Sequence, residues 1–413
     1  MKKNKKLSTA LLCITILALP ICSACARSVK NEYSVWKKVG EQASVQAVRM
    51  IRNKAPQFTV DNCLALTNAG YAEINERATA GALDGLIHVL RVGPGNHSLL
   101  ELQSAADAPL WFAVFDKESG YVAYLEVNPA IVPMVSENNV NITVHTPSRH
   151  FDSQNEYSVS YFQNGREVAG GSEWLHVNSI NRVNRADLFN TAVTEQVTAQ
   201  HLYENAALYA DKFNNKIFNG NAFRIVTVAN ALSFGVSTAT VRAFQFHDHY
   251  CPGVTSGILM ADYIKKYFSK VPGTRYFVQA VQPWCKEDAL LVLLDATPGK
   301  KSYSIMYPTE EDIASWPAWA KETSTVVYRY DPVSESWEGT ALAFNWGENS
   351  CPDYGHAVMN KLCKDLQFID QMDTPEKFVR EVKRFALPQG VHPKEYARPG
   401  ADLIALLTLL DNV

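Results

Sequence analysis

The chain has 413 residues, 47% hydrophobic and 20% charged, which suits two or three folded domains and excludes a disordered protein. Its formal charge of −3, with no basic cluster beyond the first six residues, argues against nucleic acid or an anionic membrane surface as a partner. Eight Trp, 18 Tyr and 18 Phe supply the bulk for sizeable cores.

Residues 1–26 read as a secretory leader. Lys2, Lys3, Lys5 and Lys6 make a basic start, Leu11 to Ile21 a short apolar core, and Ala24-Cys25-Ala26 a small-x-small cleavage site. Export to the periplasm or cell surface is therefore expected. Ser23-Ala24-Cys25 offers a second ending, a lipoprotein signal that leaves the chain anchored through Cys25, with Cys22 standing where such signals usually carry Leu. Removing the leader takes away four lysines and no acids, which moves the formal charge from −3 to −7. No other run of 18 or more apolar residues follows, so no spanning helix is expected in the mature chain. Five cysteines remain: Cys63, Cys251, Cys285, Cys351 and Cys363. Five is odd, so at least one thiol is left unpaired within the chain unless Cys25 is also retained free, and a Cys351–Cys363 bridge is one open pairing. Odd thiols near histidines in an exported protein point to metal or thiol chemistry.

Taken in order, Ser28 to Gln57 carries Val35, Trp36, Val39, Val45, Val48 and Ile51 at near-helical spacing. Cys63 to Glu76 reads as another helix, and Gly81 to Val92 as an apolar helix or strand closed by Gly93-Pro94-Gly95. Leu110 to Phe115 and Gly120 to Val127 flank a turn at Asp116 to Ser119, the mark of a hairpin. Asn141 to Val144 and Tyr157 to Phe162 suggest strands, Asn164-Gly165 a turn and Ala169 to Ser172 a loop. Leu188 to Phe213, rich in Ala, Leu and Tyr, predicts a long helix. Thr255 to Phe268 is amphipathic and helical, with Ile258, Ala261, Ile264 and Phe268 on one face. Tyr276 to Val281 is a strand that runs into Gln282-Pro283-Trp284-Cys285, after which Glu287 and Asp288 open a helical run over Ala289 to Leu294. Ser302 to Tyr307 and Thr325 to Tyr330 complete the strands. These patterns give an α+β chain: leader 1–26, an N-terminal α+β domain 27–150, a linker and strand region 151–186, and a second domain 187–413.

The two domains share a faint repeat. Asp84 to Ser98 lines up without gaps on Asp288 to Ser302, and both stretches carry Pro-Gly at the same place. Phe115-Asp116 parallels Tyr330-Asp331, and Cys63 parallels Cys251, although Asn62 precedes Cys63 and no His-x-His does. A duplicated domain whose first copy lost its ligands produces this pattern.

The chemistry concentrates at Phe246-His247-Asp248-His249-Tyr250-Cys251-Pro252-Gly253. In an extended segment His247, His249 and Cys251 face one way. Their N and S atoms suit zinc or another transition metal ion. The helix after them is expected to favour thiolate at Cys251. Cys285 is the fourth candidate donor, and Asp248 a candidate for fixing an imidazole tautomer or for binding substrate. Cys351 with His356 offers a further pair, either to complete this site or to hold a second ion. His88, His97 and His150 stand alone. No phosphate loop, Gly-x-Ser-x-Gly elbow, His-Glu-x-x-His or haem-attachment motif occurs.

At residues 246–253 the chain resembles the FmdE family, named after a component of formylmethanofuran dehydrogenase, whose mark is Phe-His-Gly-His-x-Cys-Pro-Gly before a helix. Asp248 replaces the usual Gly. A second family block is met by Cys285-Lys286-Glu287-Asp288-Ala289 and Thr297-Pro298-Gly299-Lys300, with Pro283-Trp284 and Asp295-Ala296 as departures that remove one cysteine. The likeness covers roughly Val226 to Tyr330. It implies an α+β domain that often binds zinc or another metal, with Lys300 a candidate for an anionic group. It does not imply formylmethanofuran oxidation. The expected function is a metal or metal-cofactor binding and delivery module. A metal- or thiol-dependent enzyme acting on a small substrate is the alternative, and a closed structural site in a docking protein is a third reading. The expected partners are a metal ion or small molecule, with a homodimer allowed.

Overall fold

A computed structural model of the chain describes residues 23–129, 141–143, 160–163, 166–167, 185–348 and 350–410. Most of the expected leader, the turn Asn164-Gly165, the loop Ala169 to Ser172 and His150 lie outside them. Two five-stranded mixed sheets organise these residues, so the fold is α+β as expected, with a likeness of the C-terminal unit preceding it.

The first unit opens with helix α1 (Ser23–Arg52), followed by strand β1 (Cys63–Thr67), helix α2 (Gly81–Leu90) and strand β2 (Leu99–Glu101). The hairpin expected around Asp116 is β3 (Trp111–Asp116) and β4 (Tyr121–Val127). After a small sheet of β5 (Asn141–Thr143), β6 (Ser160–Gln163) and β7 (Arg166–Glu167), strand β8 (Phe189–Gln196) completes the order β2-β1-β3-β4-β8. Two expectations fail here. Cys63 to Glu76 begins as a strand, because β1 is central, pairs with β2 and β3, and is buried at all five positions. Strands covered on both faces carry no alternation to read. Leu188 to Phe213 likewise starts as β8, paired to β4, before two short helices α3 (Ala199–Glu204) and α4 (Ala206–Asn214). A strand from beyond Asp187 thus belongs to the first sheet.

Helices α5 (Ala222–Ser233), α6 (Thr238–His247) and α7 (Pro252–Tyr267) lead into the second sheet. Strand β9 (Tyr276–Val281), helix α8 (Lys286–Leu293) and β10 (Tyr303–Met306) come next, then β11 (Thr323–Asp331), β12 (Ser336–Phe344), helix α9 (Ala357–Ile369) and β13 (Val379–Ala386). The strand order is β10-β9-β11-β12-β13, the order of the first sheet position for position. In each sheet the first pair is parallel and joined through a helix, and the other pairs are antiparallel.

The repeat extends to single hydrogen bonds. Gly93 N donates to Ser98 Oγ at 2.9 Å, and Thr297 N to Ser302 Oγ at 3.2 Å. Ala65 N donates to Ser98 O at 2.8 Å, and Val278 N to Ser302 O at 2.9 Å. Asp116 and Asp331 each end a strand and accept from a serine three residues on, at 2.5 and 2.7 Å. Cys63 is nonetheless not the counterpart of Cys251, since Cys63 opens a strand and Cys251 caps a helix. The helix that stands to α2 as α7 stands to α8 is α1. A Cβ on Gly40 of α1 would lie 2.1 Å from Ala82 O, and one on Gly257 of α7 would lie 2.2 Å from Lys286 O. Counting six residues back from Gly40 and from Gly257 sets Ser34 opposite Cys251, and the gapless repeat sets Gly81 opposite Cys285. The first copy carries neither thiol.

The halves share one core. Leu64, Leu66, Phe115 and Tyr124 on one face of the first sheet pack in a cluster with Val226, Phe244, Ile258 and Met359. The other face of that sheet is covered by α1 and α2.

The close crossing yields a test away from any site. Gly40→Ala forces α1 off α2 and should cost about 1–3 kcal/mol, the range for overpacking a filled interior. The urea midpoint should fall accordingly; an unchanged midpoint would contradict the crossing.

Candidate metal centre

Three helix ends meet beside the core that the two halves share. Helix α6 starts on Ser237, whose Oγ accepts from Thr240 N, and stops at His247. Asp248 then takes a left-handed conformation, φ 69°, which asparagine and aspartate tolerate best after glycine. This is how Asp248 occupies the place of the expected Gly. Residues 247–251 are therefore a helix end and a turn, not the extended segment expected from the alternation. Cys251 caps α7, its Sγ accepting from Val254 N at 3.4 Å, with Pro252 in the first helical turn. Cys285 stands immediately before α8. A Cβ on Gly253 would lie 3.1 Å from Cys285 Sγ and 3.5 Å from Cys251 Sγ, so this position keeps room for the two sulfurs.

His247, Cys251 and Cys285 each offer one ligand atom, and these atoms all lie within 4.8 Å of one another. His247 Nδ1 donates to Asp288 Oδ2 at 2.6 Å, which leaves Nε2 facing Cys251 Sγ at 3.9 Å. A tetrahedral zinc site with ordinary bond lengths has an N to S edge of about 3.6 Å. The group is thus close to the spacing an ion requires, and a carboxylate behind the imidazole is the usual orienting partner of a metal-binding histidine. His249 is outside this group. Its ring centroid lies 4.3 Å from that of His247, and its Nδ1 donates to Asp248 Oδ1 at 2.5 Å. Asp248 thereby fixes the tautomer of His249, and its second oxygen takes Arg224 NH2 at 2.6 Å.

The thiols differ. Hydrogen bonds from Cys251 and His247 outweigh burial at Cys285 and bring it down to about 4. Cys251 is pushed up, by its hydrogen bond to Cys285 and by burial. The thiolate expected at Cys251 therefore sits on Cys285, because two adjacent sulfurs hold one proton between them and Cys251 is the more enclosed. At His247 burial pulls downward, but hydrogen bonds to Asp288 and Cys285 prevail and raise it to about 9. Burial raises Asp248, but His249 and Arg224 prevail and lower it.

Residues 246–367 match the family model described as FmdE, Molybdenum formylmethanofuran dehydrogenase operon. No curated protein matches the chain. The FmdE match starts at Phe246 and takes in the motif, Cys285 and the whole disulfide, so it runs further toward the C-terminus than the likeness expected to end near Tyr330.

The other candidates fall elsewhere. Cys351 is bonded to Cys363, which removes it as a ligand, and His356 caps α9 through Nδ1. Lys300 lies at the surface, paired with Asp295. Cys63 is buried, which pushes its thiol up to about 12. Asp288 was not expected at the site. Its spacing of three from Cys285 at a helix start was the signal, since that spacing places both on one face. Its counterpart Asp84 in the first copy accepts from Tyr33 Oη. Lys286, also unanticipated, is fully buried; it pairs with Glu287 and donates to Gln282 O at 3.1 Å, which fixes the start of α8.

A thiol depressed to about 4 is thiolate throughout the range in which an ordinary thiol, near 8.5, is still ionising. In metal-free protein, Cys285 alkylation by iodoacetamide should change little between pH 6 and pH 8, and His247→Ala should slow it at pH 6. A rate that climbs about tenfold per pH unit over that range would contradict the assignment.

Proposed function

We propose that this is an exported protein that holds one transition metal ion, zinc or a related ion, through His247, Cys251 and Cys285, and serves as a metal or metal-cofactor binding and delivery module. The observation that carries this reading is the convergence of one imidazole nitrogen and two sulfurs at the ends of three helices. That donor set suits borderline-soft ions and is poor for magnesium or calcium. His249, whose ring lies 4.3 Å from that of His247, is the candidate for a fourth donor. Such an ion, when bound, supplies a crosslink between α6, α7 and α8 and a Lewis-acidic position.

Export is supported by the leader composition of residues 1–26 and by the Cys351–Cys363 bridge, since disulfides persist in oxidising compartments. There the bound ion would also shield Cys251 and Cys285 from oxidation. A second reading, a metal- or thiol-dependent enzyme acting on a small substrate, is favoured by one feature: three protein donors leave one coordination position for water or substrate.

Cobalt titration distinguishes the donors. Co²⁺ added to metal-free protein should give a thiolate-to-metal absorption and intense tetrahedral bands at one equivalent. Cys251→Ala and Cys285→Ala should each diminish the thiolate absorption, and His249→Ala should alter the visible bands only if His249 is the fourth donor. Absence of a thiolate band in the parent would contradict the reading.

A further inference from the structure

A cavity of about 350 Å³ lies where the two halves meet, with Asp248 in its lining. The first half lines it with Asn68, Trp111 and Glu126, and the second with Asn221, Arg224 and Asp248. Trp111 and Glu126 are direct cross-strand partners on β3 and β4, so an indole and a carboxyl group stand side by side on one face. Glu126 is 7% exposed; its Oε2 accepts from Tyr124 Oη at 2.8 Å, and its Oε1 takes no hydrogen bond among the described residues. Glu126 Oε1 is not enclosed: it is open to the cavity and can accept from a ligand that enters.

The wall is also tied to the histidine-cysteine cluster. Tyr124 Oη accepts from Asn221 Nδ2 at 3.0 Å, and Asn221 Oδ1 accepts from Arg224 NH1 at 3.2 Å. Arg224 NH2 donates to Asp248, and Asp248 accepts from His249. One hydrogen-bonded chain thus runs from Glu126 along the cavity to the imidazole of His249. Two carboxyl groups face one guanidinium, and that guanidinium is already engaged by Asp248 and Asn221. What the cavity offers a ligand is therefore an open carboxyl oxygen that suits a cationic donor, with an indole beside it and amide groups around it.

We propose that this cavity binds a small primary amine that also carries hydroxyl or carbonyl groups, with its ammonium on Glu126 Oε1 against Trp111. Its volume lies at the lower end of the range for small-molecule sites, about 300–1,000 Å³. Its indole and carboxyl group lie on β3 and β4, apart from His247, Cys251 and Cys285, so binding there does not require that they hold an ion.

Calorimetric titration of the mature protein in an amine-free buffer tests this, with ethanolamine and glucosamine as probes. Ethylene glycol, butanediol, glucose and the anion glycolate serve as controls. At least one amine should bind at one per chain, in metal-free as well as zinc-loaded protein, while the controls do not. Glu126→Gln, which keeps shape and removes charge, should weaken that binding at least tenfold with an unchanged circular dichroism spectrum. Ala108→Leu, which narrows the cavity without altering charge, should weaken it too. Failure of every amine, binding of glycolate in preference, or amine binding indifferent to both substitutions would overturn the proposal. Amine binding with no uptake of metal would leave it standing while removing the metal reading.

Discussion

The arrangement depends on one close crossing, that of α7 on α8. Gly257 lets the backbone of α7 rest on the carbonyl of Lys286, and Gly253 does the same for the side chains one turn earlier. The crossing puts the starts of two helices together, with a cysteine at each start. Helix N-termini favour negative charge, which helps a thiolate survive in a half-buried place. Lys286 and Glu287, buried as a pair, then hold the beginning of α8 to the end of β9. Side-chain chemistry here follows from backbone proximity.

The same crossing occurs between α1 and α2, and this makes the duplication informative. The first copy retains the glycine contact, the strand order, the serine and aspartate turns, and the aspartate at position 84, but Ser34 and Gly81 stand where the thiols would be. Without those thiols, that copy contributes otherwise. Its sheet packs its inner face on α5, α6 and α7, and its β3 and β4 wall the junction cavity. The second copy would expose a large apolar surface without the first, so the two are one folding problem.

Much of this was legible in the sequence. The cluster motif, the helix after it, the strand from Tyr276 to Val281, the β3–β4 hairpin and the repeat from Asp84 to Ser98 all rest on local patterns. What was hidden was non-local. Strand β1 is buried on both faces and shows no alternation; β8 is a sheet-edge strand that runs straight into α3 and α4, whose Ala, Leu and Tyr content set the reading of the whole stretch. The parity of His247, His249 and Cys251 suggested one extended ligand set, and the left-handed turn at Asp248 broke it. Asp288 acts through His247, 41 positions away, and Glu126 reaches the second half through Tyr124 and Asn221, which are 97 positions apart. No periodicity reveals such pairings.

The central claim is that the imidazole and two thiols are an ion site and not a chance meeting of buried groups. It is tested most directly by elemental mass spectrometry of mature protein purified without added metal, beside Cys251→Ala. The account predicts about one transition metal ion per chain in the parent and a large loss in the variant while circular dichroism stays native. A parent free of metal that also takes up none on dialysis against zinc, or a variant that keeps its full complement, would contradict it.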